Sequence, residues 1–76
     1  MIDVDLLPQV ARKIREIRSA RHLSLTELSR LSNISKGLLS KIENSRTVPS
    51  LPVFMGVVNA LGVPLKDFFD GMDLLK

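Results

Sequence analysis

The stretch SLTELSRLSNISKGLLSKIE, residues 24–43, decides how the rest of the chain is read. Ser24-Leu25-Thr26-Glu27 has the form of a capping box: the serine hydroxyl accepts from the Glu27 amide, and the glutamate carboxylate reaches back. It predicts the start of a helix with Leu28 and Leu31 lining one face, ending near Ser32. At Asn33 the chain must reverse sharply, and asparagine tolerates the left-handed backbone better than any residue except glycine. Ile34 drops back into the core, and Ser35 caps a further helix that runs to about Asn44. The stretch therefore predicts two short helices joined by a tight polar turn.

Upstream, a helix is expected from about Leu6 to Ala20, with Asp5 as its cap and Pro8 tolerated in its first turn. Val10, Ile14 and Ile17 follow helical spacing and mark its core face. Downstream, NSRTVPS reads as a loop, Ser50 as a cap and Pro52 as a first-turn residue. Leu51, Phe54, Val57, Val58 and Leu61 form the expected buried stripe, and Gly62 the stop. Phe54, Met55 and Phe68 fit core packing. A last short helix is expected from about Pro64 to Phe69, ending at Asp70-Gly71. With no strand pattern, residues 1–76 predict a single all-α domain of five helices.

A chain of 76 residues is one small domain, burying only roughly 60% of its unfolded surface. Its 45% apolar and 25% charged content is that of a folded chain, not a disordered one. There is no cysteine, which removes disulfides and thiolate metal sites and agrees with a reducing cytoplasm. No apolar run approaches the roughly 18 residues needed to span a bilayer, and MIDVDLLPQV has two acids and no base, unlike a secretory signal. Paired carboxylates in a cleft, a phosphate-cradling glycine loop and a Ser/His/Asp set are all missing, so no enzyme, metal or cofactor is expected. His22, in the turn after the first helix, has no neighbouring acid or cysteine with which to bind metal or act as a base. Without Trp or Tyr there is no stacking platform for single-stranded nucleic acid.

Charge is unevenly placed. Between Val10 and Ser50, nine Lys and Arg residues stand against Glu16, Glu27 and Glu43, whereas both flanks are net acidic. Such a middle suits a surface that meets a polyanion; a solvated helix face would give the same charge count. The helix after Asn33 adds direction. At about 100° per residue, Lys36, Gly37, Ser40, Lys41 and Asn44 share a sector of roughly 140°, opposite Leu38, Leu39, Ile42 and Glu43. A helix meant for solvent would carry Glu there to pair with Lys. Gly and Ser instead let the backbone approach something wide, and a DNA major groove fits, because lysine donates to guanine O6 and N7.

The pieces IREIR, LSLTELSRLSNIS, LLSKIENSRTVPSL and ALGVPLKDFF occur in the order and spacing of the phage repressor and Cro-type helix-turn-helix family, the xenobiotic-response-element-like regulators. The stretch from Val10 to Phe69 resembles that family, about four-fifths of the chain. The resemblance implies a cytoplasmic, sequence-specific regulator that binds double-stranded DNA, with two copies on a palindromic operator. It implies that Lys36, Gly37 and Lys41 face bases, and that Ser35, Ser40, Asn44, Ser45 and Arg46 lie near phosphates. The start of the second helix, Leu25 and Thr26, would clamp the backbone. Arg18 and Glu43 match a pair that forms an internal salt bridge in relatives. Leu25 stands where the family usually has Gln, Gly37 where a base-reading side chain is common, and Asn33 where a turn Gly is usual.

Two matters stay open at this level. Phe69, Met72, Leu74 and Leu75 exceed what the core requires, so the segment 70–76 could form a dimer seam, pack back on the first helix, or lead into a further domain. The substitutions at Leu25 and Gly37 also leave room for an antitoxin, or another protein-interaction regulator, on the same scaffold.

Overall fold

The computed structural model describes residues 6–72, which form five α-helices and no strand. They are α1 (Leu6–Ala20), α2 (Leu25–Ser32), α3 (Lys36–Glu43), α4 (Leu51–Leu61) and α5 (Leu65–Phe68). The all-α five-helix architecture expected from the sequence is the one the chain adopts. Asp5, Leu74 and Leu75 lie outside the described residues.

Three serines start three of the helices by one mechanism. Ser24, Ser35 and Ser50 are extended, and their hydroxyls accept from Glu27, Leu38 and Val53 amides at 3.0, 3.1 and 3.4 Å. At Ser24 the box closes, because its own amide donates to Glu27 Oε1 at 2.9 Å. These caps matter because α2 and α3 have eight residues each, too short to persist alone in water. Pro64 is extended at ψ 145 and Phe69 caps the other end, so α5 is a single turn, shorter than the span expected from the sequence.

The core draws on all five helices: Val10 and Ile14, Leu28, Leu39 and Ile42, Val57, Val58 and Leu61, and Phe68. Phe68 is fully buried and sits edge-on to Phe54 and to Phe69, each ring centroid 5.3 Å away. Burying such a ring contributes about 1.5–3 kcal/mol. Phe69 and Met72 also pack against this core, and Met72 shares a shallow cleft with Gln9, Arg12, Lys13 and Glu16 of α1.

Three apolar positions differ from expectation. Leu31 is 56% exposed, because Leu25, Leu28 and Ser32 take the inward side of α2. Leu51 is 70% exposed, since it opens α4 one turn before the helix reaches the core, and Met55 is turned outward at 41%. The apolar stripe of α4 is real, but its buried part is the second half.

The turn between α2 and α3 is closed by hydroxyls as well as by Asn33, which is left-handed at φ 59. Ser29 Oγ donates to the Ile34 carbonyl at 2.6 Å, and Ser32 Oγ donates to the Leu28 carbonyl at 2.7 Å. Ser32 Oγ also accepts from the Ile34 amide at 3.3 Å.

His22 and Ser45 adopt the same left-handed conformation, at φ 57 and 59, after α1 and α3. Each ends its helix with a pair of nested bonds. His22 and Leu23 amides donate to Ser19 and Arg18 carbonyls, and Ser45 and Arg46 amides donate to Ile42 and Lys41 carbonyls. Glycine adopts this geometry without steric cost, whereas its gain is partly offset by a freer unfolded chain. His22→Gly is expected to stabilise the fold by up to about 1 kcal/mol, or about 4–8 °C in Tm for a domain of this size. His22→Val should lower Tm; calorimetry of both variants distinguishes backbone relief from loss of an imidazole contact.

Candidate nucleic-acid interface

α3 turns Leu39, Ile42 and Glu43 inward and leaves Lys36, Gly37 and Lys41 exposed, with Asn44 exposed just past its end. A Cβ built on Gly37 meets nothing within 4 Å, so the domain itself places nothing over the backbone there. Ser35 is exposed at the N-cap, while Ser40 is half-buried and Arg46 projects from the following loop. Leu25, the first residue of α2, is half-buried and packed on the core, and Thr26 beside it is exposed. Asn44 and Ser40 are held inside the protein's own network: Asn44 Nδ2 donates to the Ser40 carbonyl at 2.8 Å and to its hydroxyl at 3.4 Å.

The orientation of this face is fixed from behind. Arg18 Nε donates to Glu43 Oε2 at 2.7 Å and Nη2 to Oε1 at 3.0 Å, a forked pair. Its remaining nitrogen, Nη1, donates to the Leu23 carbonyl at 2.8 Å. One guanidinium therefore joins α1, the connection to α2, and α3. The Glu43 side chain is 4% exposed and that of Arg18 17%. The hydrogen bond to Glu43 raises the Arg18 pKa above its ordinary value, with burial opposing it.

Arg15 adds a second strut. Its Nη2 donates to the Glu43 carbonyl at 2.8 Å and to Asn44 Oδ1 at 3.2 Å, and its Nε stands 3.8 Å from Glu43 Oε1. A cation at the C-terminus of α3 meets carbonyls that the helix itself leaves unsatisfied. Arg15 is one of the nine cations counted between Val10 and Ser50; the structure engages it with the end of α3.

The helix-turn-helix family profile matches residues 14–68, from the middle of α1 to the end of α5. The chain belongs to the helix-turn-helix family. Among its relatives, the HTH-type transcriptional regulator DdrOP3 of Deinococcus deserti is 29% identical over 65 residues, covering 86% of this chain and 50% of that protein. The immunity repressor protein of Bacillus phage phi105 is 33% identical over 67 residues, covering 88% of this chain and 46% of that one. An HTH_3 family transcriptional regulator from Vibrio cholerae superposes with a TM-score of 0.77 at 27% identity, covering 82% of this chain and 35% of that chain. This chain thus spans about half the length of the relatives it matches in sequence.

Within the helix-turn-helix unit, the structure brings the N-cap of α3, its two lysines and the loop cation Arg46 to positions open to solvent. It does the same for Thr26 but not for Leu25, which remains part of the core surface. Ser29 and Ser32 were not singled out by sequence reasoning. For Ser32 the signal was local, since a hydroxyl in a last helical turn bonds back to the carbonyl four residues earlier, whereas Ser29 reaches forward to the Ile34 carbonyl, a partner that only the folded turn brings to it.

Two outcomes follow for the support of this face. Arg18→Leu leaves the Glu43 carboxylate buried with only the longer Arg15 contact, and is expected to cost about 3–5 kcal/mol. Glu43→Gln leaves Arg18 its bond to Leu23 and a path to water, so about 1–2 kcal/mol is expected; urea midpoints rank the two. The Glu27 pKa is lowered by the Ser24 amide and then by its hydroxyl. A depressed carboxylate pKa contributes stability that is present above the unfolded value and lost as pH falls through the folded one. The Tm gap between the parent and Glu27→Ala should therefore be widest near neutral pH and close on acidification.

Proposed function

We propose that this domain binds double-stranded DNA as a transcriptional regulator of the repressor type, with α3 lying in the major groove. The observation that carries the reading is the outer face of α3. It offers two ammonium groups and an open glycine, with no acid and no covering side chain, on a helix held rigidly from behind. Relatives named as a transcriptional regulator and an immunity repressor support it. The setting proposed is cytoplasmic; among the described residues no helix is long and apolar enough to cross a membrane.

In this reading Lys36 and Lys41 donate to guanine O6 and N7, and Gly37 lets the helix axis approach the base edges. Ser35, the start of α2 and Arg46 meet phosphates and set the register, which carries no sequence information by itself. Ser40, Asn44 and Ser45 act by shaping the end of α3 near the backbone. Two copies on a palindromic operator would place their recognition helices about 34–36 Å apart, one helical turn of DNA.

A second reading, a protein-interaction regulator such as an antitoxin, draws on Leu25 and Gly37. Neither offers a hydrogen bond to a base, so direct readout rests on few groups. The two readings differ in salt dependence. On the first, binding to random duplex DNA weakens steeply between low and moderate salt; on the second there is no such binding. Lys41→Ala is expected to relax base preference in a randomised-duplex selection at a cost of about 1–3 kcal/mol for the best site. Arg46→Ala should instead weaken all sequences alike and reduce the salt slope by about one unit, measured by fluorescence anisotropy titration.

A further inference from the structure

Arg12 and Arg15 lie three residues apart on α1 and so share one edge of the helix. With Glu43, Asn44 and Ser45 they line an open cleft of about 260 Å³ between α1 and the end of α3. Arg12 is exposed, and among the described residues it makes no hydrogen bond and no ion pair within 4.0 Å. Glu16 and Asp70 border it on the other side, in the cleft shared with Met72, beyond ion-pair distance. Arg15 lends Nη2 to the Glu43 carbonyl and to Asn44 Oδ1, and its side chain stays 52% exposed. The carboxylate in the cleft, Glu43, already accepts both arms of Arg18. Two neighbouring guanidiniums therefore stand at one opening whose own acid is spoken for.

The position of the cleft selects the anion. Asn44 belongs both to its wall and to the outward sector of α3 that holds Lys36 and Lys41. α3 has eight residues and rises about 12 Å, and a major groove is about 12 Å wide. A helix of that length seated in the groove has backbone phosphates beside its ends. A guanidinium is planar and donates as a fork, which matches two oxygens of one phosphate. Arg15 is already oriented by its bonds to the end of α3, and Arg12 is free to turn toward the same point. We infer that this cleft takes one phosphodiester of the duplex backbone, with Arg12 as its donor and Arg15 as the second cation. The inference rests on the reading of α3 as the groove-facing helix and extends the contact to α1. Such a contact sets register and adds affinity without reading sequence. A free phosphate ion offers the same oxygens, and the experiment separates the two sources.

The test is fluorescence anisotropy titration of a half-site duplex, taken from a randomised-duplex selection, at several salt concentrations. The full chain is compared with Arg12→Ala, Arg12→Lys and Lys66→Ala. Arg12 makes no internal bond, so both of its variants are expected to keep the parent's Tm. Arg12→Ala should lower the salt slope by about 0.9 and weaken binding roughly tenfold at about 50 mM salt, alike for selected and random duplexes. Arg12→Lys should restore the slope, and Lys66→Ala, which removes the same charge from α5, should leave it unchanged. A single neutral methylphosphonate in the duplex should weaken the parent at one backbone position where Arg12→Ala is insensitive to it. An unchanged slope in Arg12→Ala, an equal loss in Lys66→Ala, or additive losses at every backbone position overturns the cleft assignment and leaves the α3 reading standing. A rise in the parent's Tm with inorganic phosphate at fixed ionic strength, lost in Arg12→Ala while its salt slope is unchanged, assigns the cleft to a free anion and overturns the inference too. A parent that binds no duplex at all overturns the α3 reading and this inference with it.

Discussion

The Glu43 carboxylate sits where three parts of the chain meet, 4% exposed, and it accepts both arms of the Arg18 fork. Placing a charge there costs several kcal/mol of solvation, and a well-packed apolar pair would hold two helices together about as well. What the fork adds is direction. Its two parallel bonds and the third to Leu23 fix the rotation of α3 about its own axis as well as its distance from α1. For a helix of eight residues without stability of its own, rotation decides which side chains face out. A turn of one residue would bury Lys36 or Lys41 and expose Leu39.

The same economy runs through the helix ends. α2 and α3 together have sixteen residues, so a large share of their amides and carbonyls lie in terminal turns without a partner in the helix. Caps at Ser24 and Ser35, the hydroxyls of Ser29 and Ser32, and nested bonds after Asn44 account for many of these. Among the described residues, no buried side-chain nitrogen or oxygen lacks a partner. The polar turn is therefore a structural joint whose hydrogen bonds are internal, which leaves Lys36, Gly37 and Lys41 on the outer face of α3 without structural duties.

How much of this was legible depends on the kind of signal. Caps are local: Ser24 with Glu27, and Ser35 and Ser50 before apolar runs, are visible in four residues and are where the structure has them. Asn33 announced its left-handed backbone, whereas His22 and Ser45 did not, since histidine signals that conformation more weakly than asparagine or glycine and serine hardly at all. Periodicity finds an apolar stripe but not where along the helix a neighbour covers it. That is why Leu31, Leu51 and Met55 were placed inward and stand outward. Arg15 was unreadable for the same reason: α1 carries four cations, Arg12, Lys13, Arg15 and Arg18, and only the position of the end of α3 selects the one that caps it.

The partition of charge along the chain has a thermodynamic consequence. Phosphate contacts release counterions, so each additional contact steepens the loss of affinity with salt, and a lone domain with two lysines and one loop arginine has little affinity in reserve. Pairing two domains raises affinity through effective concentration without a new contact to DNA. If the pairing surface were itself ionic, salt would weaken both terms together. An uncharged apolar face escapes that coupling, because burial of apolar area is not screened and is strengthened by many salts. Any pairing of two copies would therefore hold its geometry across ionic strengths that weaken phosphate contacts only where the contact between the copies is apolar rather than ionic.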